Sequence, residues 1–253
     1  MIVLITPTGG RPDQFNLCRL FMERQTYQGE VVWIIVDDCI PVTTDCVQGN
    51  FHDKWTIIKI YPVPPWSPGQ NSQGRNISMG LNTMLSNYKM EDIEGIFIIE
   101  DDDYYKPIYL EQMTPRLAGV QAVGEKNTIY YNVYYRTYFH HPNTGHSSLF
   151  QTAFTVDALD IFGHCCNEAY IDMSFWTRVT SVNLFNDNNL AIGIKGMPGR
   201  YGIGAGHTRL RNMPRDNEWH YLISLIGMED TKLYTRFYGG GNTRPSLLHG
   251  RRF

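Results

Sequence analysis

The sequence predicts an α/β fold around a central buried sheet, and three observations carry that expectation. Short apolar, β-branched runs at 2–5, 31–36, 55–60 and 96–99 alternate with stretches whose apolar residues recur at helical spacing. Several of those runs end directly in polar or acidic residues, as strands do where they reach the carboxyl edge of an open α/β sheet. The chain has 253 residues with 42% hydrophobic and 19% charged content. That suits one large domain, or one domain with a small appendage.

Taken in order, residues 2–5 form a first strand, and Thr6, Pro7, Thr8, Gly9, Gly10 and Arg11 turn the chain into a helix opened by Pro12. The opening run lacks a basic segment ahead of it and reads as a strand, not a signal peptide. Leu17, Cys18, Phe21 and Met22 line that first helix, which runs to about Gln25. Residues 31–36 form a second strand, with Asp37 and Asp38 at its tip. Residues 55–60 form a third. Pro62, Pro64, Pro65 and Pro68 then stiffen a connector carrying Trp66. A helix follows from Gly74, with Arg75 and Asn76 in its first turn. A cation there opposes the helix dipole, so Arg75 requires an acid or a phosphate as partner.

Residues 96–99 form a buried strand that runs straight into Glu100, Asp101, Asp102 and Asp103. Four carboxylates this close raise one another's pKa. A hard divalent cation such as Mg²⁺, coordinated through oxygen, relieves the repulsion. A metal site is favoured over a solvated acidic turn, because an exposed turn rarely follows four apolar residues directly.

Beyond it, Pro107 opens a helix over 108–117, and residues 128–138 read as one aromatic strand. His140, His141 and His146 fall in a polar loop over 140–148, whose spacing fits a substrate-facing loop better than a metal site. Residues 150–156 form a strand, 158–162 a helix stopped by Gly163, and 167–179 a further helix. Asp172 sits among apolar residues of that last helix; it is either paired, with Arg178 near in sequence, or chemically used with a raised pKa. Residues 190–194 form a last core strand before a glycine-rich loop that carries Arg200 and His207. That loop has neither the Rossmann nor the Walker spacing. Residues 219–226 read as a helix, and 239–253 as a flexible tail.

Net charge is −3, unevenly spread. Residues 195–253 hold ten Lys+Arg against four Asp+Glu, whereas the remainder holds 12 against 21. An acidic body with a basic C-terminal fifth fits a polyanion held between them. The five cysteines make no metal spacing and read as free thiols of a reducing cytoplasm. No apolar run reaches the length of a membrane span.

In this order and spacing the motifs resemble GT-A-fold, family-2-like glycosyltransferases, over residues 2–207. The resemblance implies a Rossmann-like three-layer sandwich around a central mixed sheet, in a single domain. Residues 1–207 would be the catalytic domain and 208–253 a basic extension packing on or near the active site. It implies a nucleotide-diphosphate sugar donor of UDP type, contacted by Thr6, Pro7, Thr8 and Arg11 after the first strand and by Asp37 and Asp38. Arg75 and Asn76 belong to the helix ahead of the metal motif, and Arg200 to the late loop. Asp102 and Asp103 would hold Mn²⁺ or Mg²⁺, joined by His207, while Glu100 or Asp101 touches the ribose. Asp172 matches the inverting base, although the family's Glu-Asp pair is Ile171-Asp172 here.

The implied acceptor is a glycan or lipid-linked sugar; a hydroxymethylated DNA base also fits the basic C-terminal residues and many tyrosines. Rival readings are a nucleotidyltransferase, which would release pyrophosphate from a nucleoside triphosphate, and a non-catalytic sugar-nucleotide-binding module.

Overall fold

The structure, a computed structural model, describes residues 1–42, 44, 50–186, 189–200 and 212–238. Strands β1 (Ile2–Thr8), β2 (Val31–Asp37), β3 (Trp55–Ile60) and β4 (Gly95–Ile98) form a parallel array in the order β3-β2-β1-β4. Strand β9 (Thr152–Phe154) adds antiparallel to β4, and β6 (Ala122–Glu125) and β10 (Val182–Phe185) complete a seven-stranded mixed sheet. A smaller sheet carries β5 (Tyr104–Tyr105), β11 (Ala191–Lys195), β7 (Thr128–Asn132) and β8 (Thr137–His141), in that order.

Both faces of the central strands are buried, so their apolar residues run without alternation. The pleat still sorts them. Ile2, Leu4, Trp33, Ile35 and Phe97 enter one core with α1 (Pro12–Glu23) and α3 (Tyr109–Met113); Val3, Ile5, Ile34, Ile96 and Ile98 enter a second with α2 (Gln73–Asn87), α4 (Leu159–Cys165) and α5 (Ile171–Trp176). The result is a Rossmann-like, three-layer GT-A sandwich. Leu222 and Ile226 of α6 (His220–Ile226) and Tyr234 of α7 (Met228–Thr235) pack into the first core.

Strand β1 runs three residues beyond the apolar run that announces it. Ile5 O accepts from Ile99 N and Thr8 O from Asp38 N, so alternate residues face alternate neighbours. Pro7 therefore faces the β4 side, past that strand's end, where its missing N–H leaves no ladder bond unmade. The expected single strand over 128–138 is instead the β7–β8 hairpin. Asn132 Oδ1 accepts from Tyr134 N and Tyr135 N, and Arg136 takes φ +51°, which reverses the chain inside an aromatic run. His140 and His141 consequently lie in β8, not in a loop. Gly163 lies within α4 and does not end it, and α5 is shorter than the 167–179 expected. Strands β6 and β10 and helix α7 were not expected at all. The tail at 239–253 lies outside the described residues.

Helix α2 is held close to α4 by a missing side chain. A Cβ on Gly74 would overlap the backbone carbonyl of Cys166. Helix propensity alone would favour Gly74→Ala by up to about 1 kcal/mol. A backbone carbonyl cannot rotate away, so the expected outcome is a net loss of about 1–3 kcal/mol from overpacking. Urea denaturation checks this; an unchanged or higher midpoint would show that α2 does not need the close approach.

Candidate active site

The carboxyl ends of β1, β2 and β4 bring two polar clusters to one edge of the sheet. The first is centred on Asp38, whose side chain is fully buried. Its Oδ2 accepts from Asn76 Nδ2 at 2.7 Å, from Arg75 at 3.4 Å and from the Ser72 hydroxyl. Its Oδ1 meets Arg200 at 3.0 Å. Gly9, at φ +152°, is needed here, because a Cβ on it would overlap Asp38 Oδ1. Arg75 thus has an acid as its partner, and also donates to Pro64 O at 3.0 Å. The proline-rich connector closes over the same cluster: Trp66 N donates to Asp38 O at 2.7 Å, and the Arg200 guanidinium lies 4.7 Å from the Trp66 ring centre. Asp37 faces its own loop, accepting from Cys39 N at 3.2 Å and Thr44 N at 2.9 Å.

The second cluster is the turn after β4. Asp101 and Asp103 are each 1% exposed, which removes the solvated-turn reading. Asp101 turns toward β1, where it accepts from Thr8 Oγ1 at 2.6 Å and pairs with Arg11. Asp103 Oδ1 accepts from Ile194 N at 2.9 Å and from Lys195 Nζ at 2.7 Å; the same ammonium lies 3.2 Å from Asp102 Oδ2. Arg11 is 3.8 Å from that Asp102 oxygen. Gln73 donates to Glu100, whose backbone N–H donates to Tyr105 Oη at 2.9 Å. Glu100, Asp102 and Asp103 each offer an oxygen within 4.8 Å of the others. Asp101, directed elsewhere, is outside that trio.

Burial is the main cause of the carboxyl shifts. It raises Glu100 to about 7 against the pull of Lys195, and Asp101 to about 6 against the pull of Arg11. Asp103 is raised well above the usual range by burial, with Lys195 opposing. Burial alone would lower Arg11 and Lys195; the surrounding carboxylates outweigh it and raise both, which keeps them charged.

Asp172, half-buried in the first turn of α5, accepts from its own Met173 N at 2.9 Å. Its charge is felt at Glu100, where it adds slightly to the upward shift that burial causes. Its pKa is raised by burial, moderated by the Met173 N–H and by His146. Arg178 pairs with Glu168 at 3.3 Å and donates to Cys165 Sγ. Of the expected donor contacts, Thr6 spends its hydroxyl in the core, accepting from Trp33 Nε1 at 2.9 Å, and Pro7 is buried. His207 lies outside the described residues. Cys18, Cys39, Cys165 and Cys166 are free thiols; Cys46 is outside the described residues. No helix among the described residues is long and apolar enough to cross a membrane.

Lys195, Gln73, Ser72 and Trp66 were missed as site residues. Only Lys195 carried a signal: a charged residue directly after an apolar strand, obscured by being counted with the basic C-terminal residues.

No protein-family model matches this chain, and no curated protein matches it. Solved structures do. The 1–349 portion of S. aureus TarS, a glycosyltransferase, superposes with TM-score 0.53 at 13% identity, over 77% of this chain and 60% of that one. Its complex with UDP gives TM-score 0.50 at 13% identity, over 76% and 60%. The longer TarS structure gives 0.51 at 13% identity, over 76% and 36%. This chain therefore spans about 60% of the length of the first of these neighbours. At that identity the likeness establishes the fold alone, a Rossmann-like GT-A α/β fold.

The raised carboxyls give a pH dependence of definite sign. Glu100 and Asp101 hold protons in the folded chain that they release when unfolded. Their contribution to stability is complete below pH about 4 and is lost as pH rises through about 6 to 7. Glu100→Gln should flatten that fall. Denaturant midpoints of both proteins between pH 4 and 8 check it; parallel curves would remove Glu100 as a source.

Proposed function

We propose that this chain is a glycosyltransferase that moves a sugar from a UDP-type nucleotide-diphosphate donor to an acceptor hydroxyl with inversion, assisted by a divalent cation. The observation that supports it is one of placement. The carboxylate trio and the Arg11 and Arg200 guanidiniums lie at one edge of the sheet, and the charge of Asp172 is felt at Glu100. This is the edge where open α/β sheets take ligands.

The donor set suits Mn²⁺ or Mg²⁺. Glu100, Asp102 and Asp103 supply only oxygens, the hard ligands these ions prefer, and Asp103 Oδ2 is buried with no hydrogen-bond partner among the described residues. A cation bound there would offset the charge that develops on the leaving nucleoside diphosphate. Arg11, Arg75 and Arg200, already fixed by Asp101 and Asp38, would face the phosphates and the nucleoside. Asp37, Asp38 and Asn76 would contact the base and ribose, while Thr6, Pro7 and Thr8 shape the floor of that site at the end of β1.

Asp172 would take the proton of the acceptor hydroxyl as that oxygen attacks the anomeric carbon. The environment that raises its pKa makes it a better base once ionised. Tyr170 and Met173 stand exposed beside it, 60% and 53%, and would offer an apolar face to the acceptor. A glycan or a hydroxymethylated base would stack there. The free thiols fit action in the cytoplasm. Residues 208–253 would act as a basic extension near this edge.

Two substitutions test the reading. Asp172→Asn should lower transfer by at least a thousandfold with UDP affinity within about threefold of wild type, since general-base catalysis accounts for factors of this order. Normal turnover by that variant would remove Asp172 as the base. Asp102→Ala should abolish the Mn²⁺-dependent part of UDP binding in calorimetry; an unchanged enthalpy and affinity would take Asp102 out of the cation site. Product analysis identifies the class: a nucleoside diphosphate supports the transferase, and pyrophosphate replaces it with a nucleotidyltransferase.

A further inference from the structure

The reading above leaves Lys195 without a task. This residue ends β11, is 5% exposed, and shares its ammonium between Asp103 Oδ1 at 2.7 Å and Asp102 Oδ2 at 3.2 Å. It therefore engages two of the three carboxylates that would hold a cation. Its side chain is enclosed and its backbone is tied into the small sheet. The Tyr130 and Phe150 rings lie 5.9 Å from Nζ, Lys195 O accepts from Val133 N at 2.8 Å, and the backbone pairs with Asn132 of β7. Arg11, 3.8 Å from the same Asp102 oxygen, adds a second positive charge. A divalent ion arriving alone would share its ligands with a fixed ammonium, in surroundings where bulk salt screens little of the repulsion.

Resting on the reading that Glu100, Asp102 and Asp103 take a divalent cation, we propose that Lys195 sets the order of loading. It keeps the turn weak for the cation alone and makes cation capture depend on the donor's diphosphate, whose negative charge offsets the ammonium. Before loading, the same ammonium holds Asp102 and Asp103 in position, so the site does not need the metal in order to form. The coupling is reciprocal: whatever UDP adds to Mn²⁺ affinity, Mn²⁺ adds to UDP affinity.

The experiment follows free Mn²⁺ by its electron paramagnetic resonance signal as the full chain is titrated, with and without UDP. In wild type, UDP should tighten Mn²⁺ binding at least tenfold. Lys195→Gln keeps a hydrogen-bond donor for Asp103 but removes the charge. It should tighten Mn²⁺ binding without UDP at least fivefold and shrink the gain from UDP. Lys195→Arg keeps the charge and should retain the wild-type gain. A damaged fold would weaken Mn²⁺ binding, so the direction of change separates an electrostatic role from a structural one. Mn²⁺ binding by Lys195→Gln no tighter than wild type, with its melting transition intact, overturns the proposal. Should that variant not fold, equal Mn²⁺ affinity with and without UDP in wild type overturns it while leaving the cation site standing. No Mn²⁺ binding by any of these proteins under either condition rejects the cation site itself, and the proposal with it.

Discussion

Four consecutive carboxyls at the end of a buried strand are the constraint around which this structure is arranged. Two unit charges 4 Å apart interact by about 4 kcal/mol at the effective dielectric of a protein surface region. The turn holds several such pairs. Protons meet part of this cost, since burial first and the neighbouring carboxylates second raise the Glu100, Asp101 and Asp103 pKa values. The rest is met by cations from distant parts of the chain: Arg11 from the loop after β1, and Lys195 from the end of β11. Buried ion pairs are poor sources of net stability, because desolvation offsets most of the attraction. Their value here is positional. Through Ile194 N and Lys195, Asp103 ties the small sheet to the carboxyl edge of the large one.

Asp38 plays the corresponding part for the neighbouring strand. It collects Ser72 and Asn76 from the start of α2, Arg75 from the same turn and Arg200 from beyond β11. The absent side chain of Gly9 lets the β1 loop pass close to it. Each hub fixes long cationic side chains before any ligand arrives. An arginine or lysine otherwise loses substantial rotamer entropy when it is ordered.

The parts of the fold legible in the sequence were those whose signal is local. β1 to β4, α1 and α2 announce themselves through unbroken apolar runs or a clear helical stripe, and Asp37, Asp38 and the 100–103 turn follow from where those strands stop. β6 and β10 are four residues each and carry no such run. The β7–β8 turn is made by an Asx contact and one left-handed residue inside a run that is aromatic throughout. The partnerships of the site were least legible, because they join residues far apart in sequence: Lys195 meets Asp102 across 93 positions, and Arg200 meets Asp38 across 162. Nothing local distinguishes an arginine that pairs from one that does not. Arg178, near Asp172 in sequence, turned to Glu168 instead.

The uneven charge along the chain finds its meaning in those same pairings. Lys195 and Arg200 open the basic C-terminal fifth, and each lies against acids of the acidic body. These two cations, segregated from the acids in sequence, are thus interleaved with them in space, at the edge where β1, β2 and β4 end. A polyanionic donor reaching that edge would meet cations already held by carboxylates, with their conformational entropy surrendered during folding and not on binding. It would also meet acids that alone would repel it. Affinity for a diphosphate must then depend on how the carboxylate trio is neutralised: by a proton on Glu100 below about pH 7, by Lys195, or by a bound cation. Function resides in sites carried on a fold, not in the fold itself. The choice is written in the side chains of 100–103 and the lysine that faces them.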